Sequence, residues 1–81
     1  MDLARSPEQI GSAIRRARKK RGMSQSELGK KAGLRQETIS LIENGNPATK
    51  LETILMILSV LALEFQIVER SAKSLLEEMM E

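Results

Sequence analysis

Eleven basic side chains lie in the first 50 residues: Arg5, Arg15, Arg16, Arg18, Lys19, Lys20, Arg21, Lys30, Lys31, Arg35 and Lys50. Five acids oppose them, a balance of +6, whereas residues 51 to 81 carry two basic and six acidic side chains, a balance of −4. The overall charge of +2 hides this division. Cations at this density suit a polyanion, which they attract through the summed field and through hydrogen bonds to phosphate. The same charges also suit a solvated basic helix face. The missing residue types narrow the chemistry. The chain has no Cys, His, Trp or Tyr, and Phe65 is its one aromatic residue. Zinc fingers, disulfide frameworks, thiol nucleophiles and imidazole bases are therefore excluded. Stacking of single-stranded bases on aromatic rings lacks a platform. Ser, Asp, Glu and Lys remain, but they form no constellation of base, nucleophile and oxyanion site. The expectation is a protein that is not an enzyme, with no catalytic residue, cofactor or metal.

The 81 residues accommodate one domain. The stretch from Met1 to Ser12 has no apolar core of the length a secretory signal requires. The longest apolar stretch, Ile54 to Leu63, is interrupted by Ser59 and is about half of the roughly 20 residues that a membrane-spanning helix needs. It belongs in a protein core. Together with the absence of Cys, which fits a reducing compartment, these features imply a cytoplasmic protein with no membrane partner.

The spacing predicts four helices. Ser6-Pro7-Glu8-Gln9 has the residues of a capping box with Pro at the first helical position, and Ile10, Ala13, Ile14 and Ala17 follow at helical spacing until Gly22. A first helix over about 7 to 21 results. Ser24-Gln25-Ser26-Glu27 is a second capping box, opening a short helix that Gly33 ends. A third helix spans Gln36 to Glu43, with Ile39 and Ile42 facing inward and Gly45 as its stop. Thr49-Lys50-Leu51-Glu52 is a third capping box, opening a helix over about 50 to 62. Two short helices joined by a brief Gly-containing turn are the mark of a helix-turn-helix. Gly29, inside the second helix at a cost of roughly 1 kcal/mol, predicts a close crossing by the third.

The pattern Ser24-Gln25-x-Glu27-Leu28-x-x-Lys31-x-Gly33-x-x-Gln36-x-x-Ile39-x-x-Ile42-Glu43-Asn44-Gly45 resembles the Cro-like (XRE) helix-turn-helix family of bacterial and phage repressors. The resemblance covers about residues 8 to 63, and the C-terminal region resembles the HipB-type antitoxins. It implies an all-α, lambda-repressor-like bundle of four to five helices with one C-terminal β-strand pairing across a dimer. It places the third helix in the major groove of double-stranded DNA, which at roughly 12 Å wide admits one α-helix. On the family's pattern Arg35, Gln36, Glu37 and Ser40 face bases, Thr38 lies nearer the backbone, and Gln36 is matched to adenine. Gln25, at a helix start where unpaired N–H groups favour an anion, is matched to a phosphate clamp. Asn44, Thr49 and Lys50 are matched to the sugar-phosphate chain, and Arg18 with Glu43 to an internal salt bridge. Two positions depart from the usual pattern. Glu37 could accept from a cytosine or repel phosphates, and Leu41 could touch a thymine methyl or simply pack.

The fourth helix is apolar almost all round. Leu51, Ile54, Leu55, Leu58 and Leu61 are assigned to the core, leaving Met56, Ile57, Val60 and Leu63 for a second surface. Leu63 to Arg70 alternates and is rich in β-formers, so it reads as a strand whose Phe65 and Ile67 join that surface. A lone strand finds its hydrogen bonds most economically in a second copy, which predicts a homodimer reading a palindromic operator at half-sites about 34 Å apart. Residues 1–63 are thus a DNA-binding domain and 64–81 a dimerisation strand and tail. Leu75, Leu76, Met79 and Met80 mark a possible amphipathic helix in that tail, or a frayed terminus. The implied function is a transcriptional repressor, as the antitoxin of a HipA-like toxin kinase. The alternatives are a stand-alone or phage-type regulator, and an interaction module that has lost DNA binding.

Overall fold

A computed structural model describes residues 3–70. Four helices follow one another: α1 (Pro7–Lys20), α2 (Gln25–Ala32), α3 (Gln36–Glu43) and α4 (Leu51–Val60). The local chemistry of their ends accounts for most of these boundaries. Ser6 caps α1 by accepting from the Gln9 N–H at 3.1 Å, and the Gln9 side chain accepts from the Arg5 N–H, one residue earlier than a capping box requires. At α2 the box closes in both directions, Ser24 Oγ accepting from the Glu27 N–H at 3.0 Å and Glu27 Oε1 from the Ser24 N–H at 3.1 Å.

The third predicted box does not form. The N-cap of α4 is Lys50, with no side-chain bond, because the Thr49 hydroxyl instead donates to the Asn46 carbonyl at 3.2 Å. Asn46 holds the preceding turn as well, its Oδ1 accepting from the Ala48 N–H. All four helices end with the chain turning through the left-handed region, at Gly22, Gly33, Gly45 and Ala62. At α4 the Leu63 N–H returns to the Leu58 carbonyl at 2.8 Å, and the alanine holds φ +57° at a cost of about 1 kcal/mol relative to glycine.

Ile14, Leu28, Ala32, Ile39, Ile42, Ile54, Ile57 and Leu61 form one buried cluster to which every helix contributes. α3 packs on α1 and α2, and α4 on α2. The phase of α4 differs from the expectation. Ile57, assigned to the dimer-facing side, is fully buried in the protomer's own core, while Leu51 and Leu55, assigned to the core, are 63% and 45% exposed. Ile54, Ile57 and Leu61 form the inward stripe. A helix apolar on nearly every side carries no period from which that phase could be read. Val60 and Leu63 pack at the margin of the core, and Met56 is exposed.

The described residues contain no strand, and the segment 63 to 70 runs without regular structure; the ladder expected there was with a second copy, and a ladder needs a paired backbone that the described residues of one protomer do not provide. The predicted tail helix lies outside the described residues.

Gly11 and Gly29 are among the glycines that mark close approaches. A Cβ on Gly29 would lie 2.7 Å from the Leu34 carbonyl oxygen, so the crowding there comes from the turn rather than from α3. The close helix crossing is at Gly11 instead, where a Cβ would collide with the Ile42 carbonyl oxygen and lie 2.7 Å from that of Glu43. Because these obstacles are backbone atoms, Gly11→Ala is expected to force α1 and α3 apart and to lower stability by about 1–3 kcal/mol in denaturant unfolding. An unchanged midpoint would contradict the crossing.

Candidate nucleic-acid interface

α3 presents its two sides very differently. Ile39, Ile42 and Glu43 are buried against α1 and α2. Gln36, Glu37, Leu41 and Asn44 are exposed, as is the N-cap Arg35, with Ser40 and Thr38 half-buried beside them. At 3.6 residues per turn, Gln36, Ser40 and Asn44 lie along one outward ridge, with Glu37 and Leu41 along the next. The ridges offer an amide that both donates and accepts, a hydroxyl, an acceptor-only carboxylate and an apolar side chain, and the guanidinium of Arg35 stands at their entrance. No side chain caps the start of α3.

Beneath this face lies the only buried ion pair among the described residues. Arg18 of α1 and Glu43 of α3 meet side by side, Nε donating to Oε2 at 2.7 Å and Nη2 to Oε1 at 3.0 Å. Nη1 of Arg18 donates to the Met23 carbonyl at 2.8 Å, tying in the chain just before α2. The hydrogen bonding that Arg18 donates to Glu43 raises the Arg18 pKa further, outweighing the effect of burial. Among the described residues no buried side-chain nitrogen or oxygen lacks a partner, and each nitrogen and oxygen of the pair is hydrogen-bonded.

Gln25 joins the same network. It is half-buried at the first position of α2, and its Nε2 donates to Glu43 Oε1 at 3.2 Å. One of its two amide hydrogens is committed to Glu43, leaving the other for a ligand at the α2 N-terminus. Next to it, the Glu27 carboxylate is held below the usual carboxylate range by the Ser24 backbone N–H and then by the Ser24 hydroxyl.

The residues matched to the sugar-phosphate chain divide. Lys50 is exposed. Asn44 is exposed but its Nδ2 donates to the Ser40 carbonyl at 2.9 Å, closing the end of its own helix. Thr49 has committed its single hydroxyl proton to Asn46, so it can accept but not donate without rearranging. The sequence did not point to the Gln25–Glu43 bond, the Met23 carbonyl or the role of Gly11. The available signal was the spacing Gly11, Ile14, Arg18, a stripe running from a small residue to a charged one on the buried side of α1.

The helix-turn-helix family model matches residues 14–68. Antitoxin HipB of Escherichia coli O6:H1 is 45% identical over 58 residues, which are 72% of this chain and 62% of that protein, so the chain spans less than two thirds of the relative's length. Among solved structures, a HipB–O4 20mer complex matches with a TM-score of 0.80 at 37% identity, over 88% of this chain and 100% of that one. A HipA–HipB–O2–O3 complex matches with a TM-score of 0.79 at 39% identity, over the same shares.

Arg18→Ala leaves Glu43 buried without its cation and is expected to cost about 3–5 kcal/mol of unfolding free energy. Melting unchanged from wild type would contradict the pair's structural role. At Glu27, the folded-state pKa lies below the unfolded value, so its contribution is full above that value and is lost as pH falls through the folded pKa. Glu27→Gln keeps an acceptor for the cap, and is expected to flatten the acid limb of the stability profile below about pH 4.5. An acid limb identical to that of wild type would contradict this.

Proposed function

The chain belongs to the helix-turn-helix family, in its Cro-like branch, and on that premise we propose that it is a sequence-specific transcriptional repressor that binds double-stranded DNA. One observation carries the reading: α3 and its N-cap expose Arg35, Gln36 and Glu37, with Ser40 half-buried beside them, on a support locked at Arg18 and Glu43. Gln36 can pair with adenine through its amide, and Arg35 with guanine or a phosphate. Gln25, Asn44 and Lys50 border this face and would fix its register on the phosphate chains, with Thr38 and Thr49 beside them.

The protein would act as a homodimer, so that two copies of α3 meet a palindrome. Its support is an apolar surface that one protomer leaves uncovered. Leu51, Leu55 and Met56 of α4 are exposed, as are Phe65, Ile67 and Val68 after it, and Leu55, Leu58, Leu63 and Phe65 line an open groove. Residues 1–63 would then bind DNA, and 64–81 would join the copies. The likeness to HipB and to its complex with HipA supports a role as the antitoxin of a HipA-like toxin kinase. The likeness to an antitoxin and to its complex with DNA supports a binding protein without a catalytic role. No helix among the described residues is long and apolar enough to cross a membrane, which agrees with a cytoplasmic site of action.

Fluorescence anisotropy with a duplex from the protein's own promoter, at a series of salt concentrations, tests this function. Two protomers per palindrome are expected, with the log-log slope near −0.9 for each phosphate neutralised. Salt-independent or undetectable binding would contradict DNA recognition. Light scattering that shows a monomer at micromolar concentration would contradict the dimer alone.

A further inference from the structure

Glu37 is the one acid on the outward face of α3. It is exposed, and among the described residues its carboxylate makes no hydrogen bond or ion pair. Within the fold the charge serves only as an acid in the first turn of α3, facing the positive end of the helix, and no partner side chain engages it. In a groove lined by phosphates an unmatched carboxylate would be costly, since it loses water and gains nothing in return.

The major groove offers only two base donors, the N4 amine of cytosine and the N6 amine of adenine. An ionised carboxylate can only accept. On adenine the acceptor N7 lies beside N6, so a carboxylate would meet lone pairs, whereas an amide such as Gln36 satisfies both atoms at once. Cytosine presents N4 with no acceptor on its own major-groove edge. Leu41, one turn along the same ridge and 56% exposed, provides an apolar neighbour that would keep water from the contact.

We propose that Glu37 is a specificity-determining residue, accepting a hydrogen bond from the N4 amine of a cytosine adjacent to the adenine read by Gln36. This rests on the DNA-binding reading above and adds a base preference to it. Arg35 and Gln36 would bind their bases whether or not Glu37 is present, so each operator half carries a position set by the carboxylate alone.

The test is selection from a random duplex pool with the full chain, Glu37→Gln and Glu37→Ala, followed by titration of each on the recovered site. Circular dichroism checks that both variants fold, as expected at an exposed position. Wild type is expected to enrich cytosine at a fixed offset from an adenine in each half-site. Replacing that cytosine should weaken wild-type binding roughly 5- to 150-fold. Both variants should lose the preference, and the glutamine variant should shift it toward adenine. Enrichment of the same cytosine by both variants would overturn the proposal. So would uniformly tighter binding of every sequence by Glu37→Gln, the behaviour of a carboxylate that merely repels phosphate. A wild-type motif without the cytosine overturns it while leaving DNA recognition standing; enrichment of no motif removes both.

Discussion

The ion pair between Arg18 and Glu43 holds the outward face of α3 in place. It joins α1 to the last residue of α3 across 25 positions of sequence, and it is almost wholly removed from water. Two charges are tolerated there because every nitrogen and oxygen of the pair has a partner, with the Met23 carbonyl accepting from Arg18 and Gln25 donating to Glu43 beside the bonds between the two side chains. Gly11 makes the approach possible, since only a residue without a Cβ lets α1 lie against the Ile42 and Glu43 carbonyls. The consequence falls on α3. A helix of eight residues has little stability of its own, so both its existence and its direction come from what it packs on.

The same network links support to surface. Glu43 accepts from Arg18 on one side and from Gln25 on the other, so the anchoring of α3 and the orientation of the α2 N-terminus are set by one carboxylate. The positive end of α2 and the outward ridges of α3 are thereby held in a fixed relation. Phosphate positioning and base readout require such a relation if both are to occur at once. The charge division along the chain follows the same plan, with the cations gathered in the half that carries α1 to α3, and the apolar surface and most of the acids beyond it.

The helix boundaries were legible in the sequence because caps and left-handed stops are local. Ser6, Ser24, Gly22, Gly33 and Gly45 act within a few residues of themselves. Where a local signal competed with another bond it misled, as at Thr49, whose hydroxyl serves the Asn46 turn rather than α4. The phase of α4 was not legible, since a uniformly apolar helix gives no contrast, and Ile57 and Leu55 exchanged their expected sides. The outward character of Gln36 and Glu37 was readable once α3 was placed, whereas that of Leu41, which could equally have packed, was not. The Gln25–Glu43 bond was not, because it depends on how two helices meet in space. The segment after Leu63 was read as a strand that pairs with a second copy, and a single protomer contains no such partner backbone.

Amide chemical-shift mapping of the isotope-labelled chain, titrated with a duplex carrying its selected site, tests most directly whether the outward face of α3 enters DNA. Perturbations should concentrate on Gln25, on Arg35 to Leu41 and on Asn44 to Lys50, while the amides of Ile14 and Ile57 stay nearly fixed. Shifts confined to α4 and the segment after it, with α3 silent, would show that this surface is not the one that meets the nucleic acid.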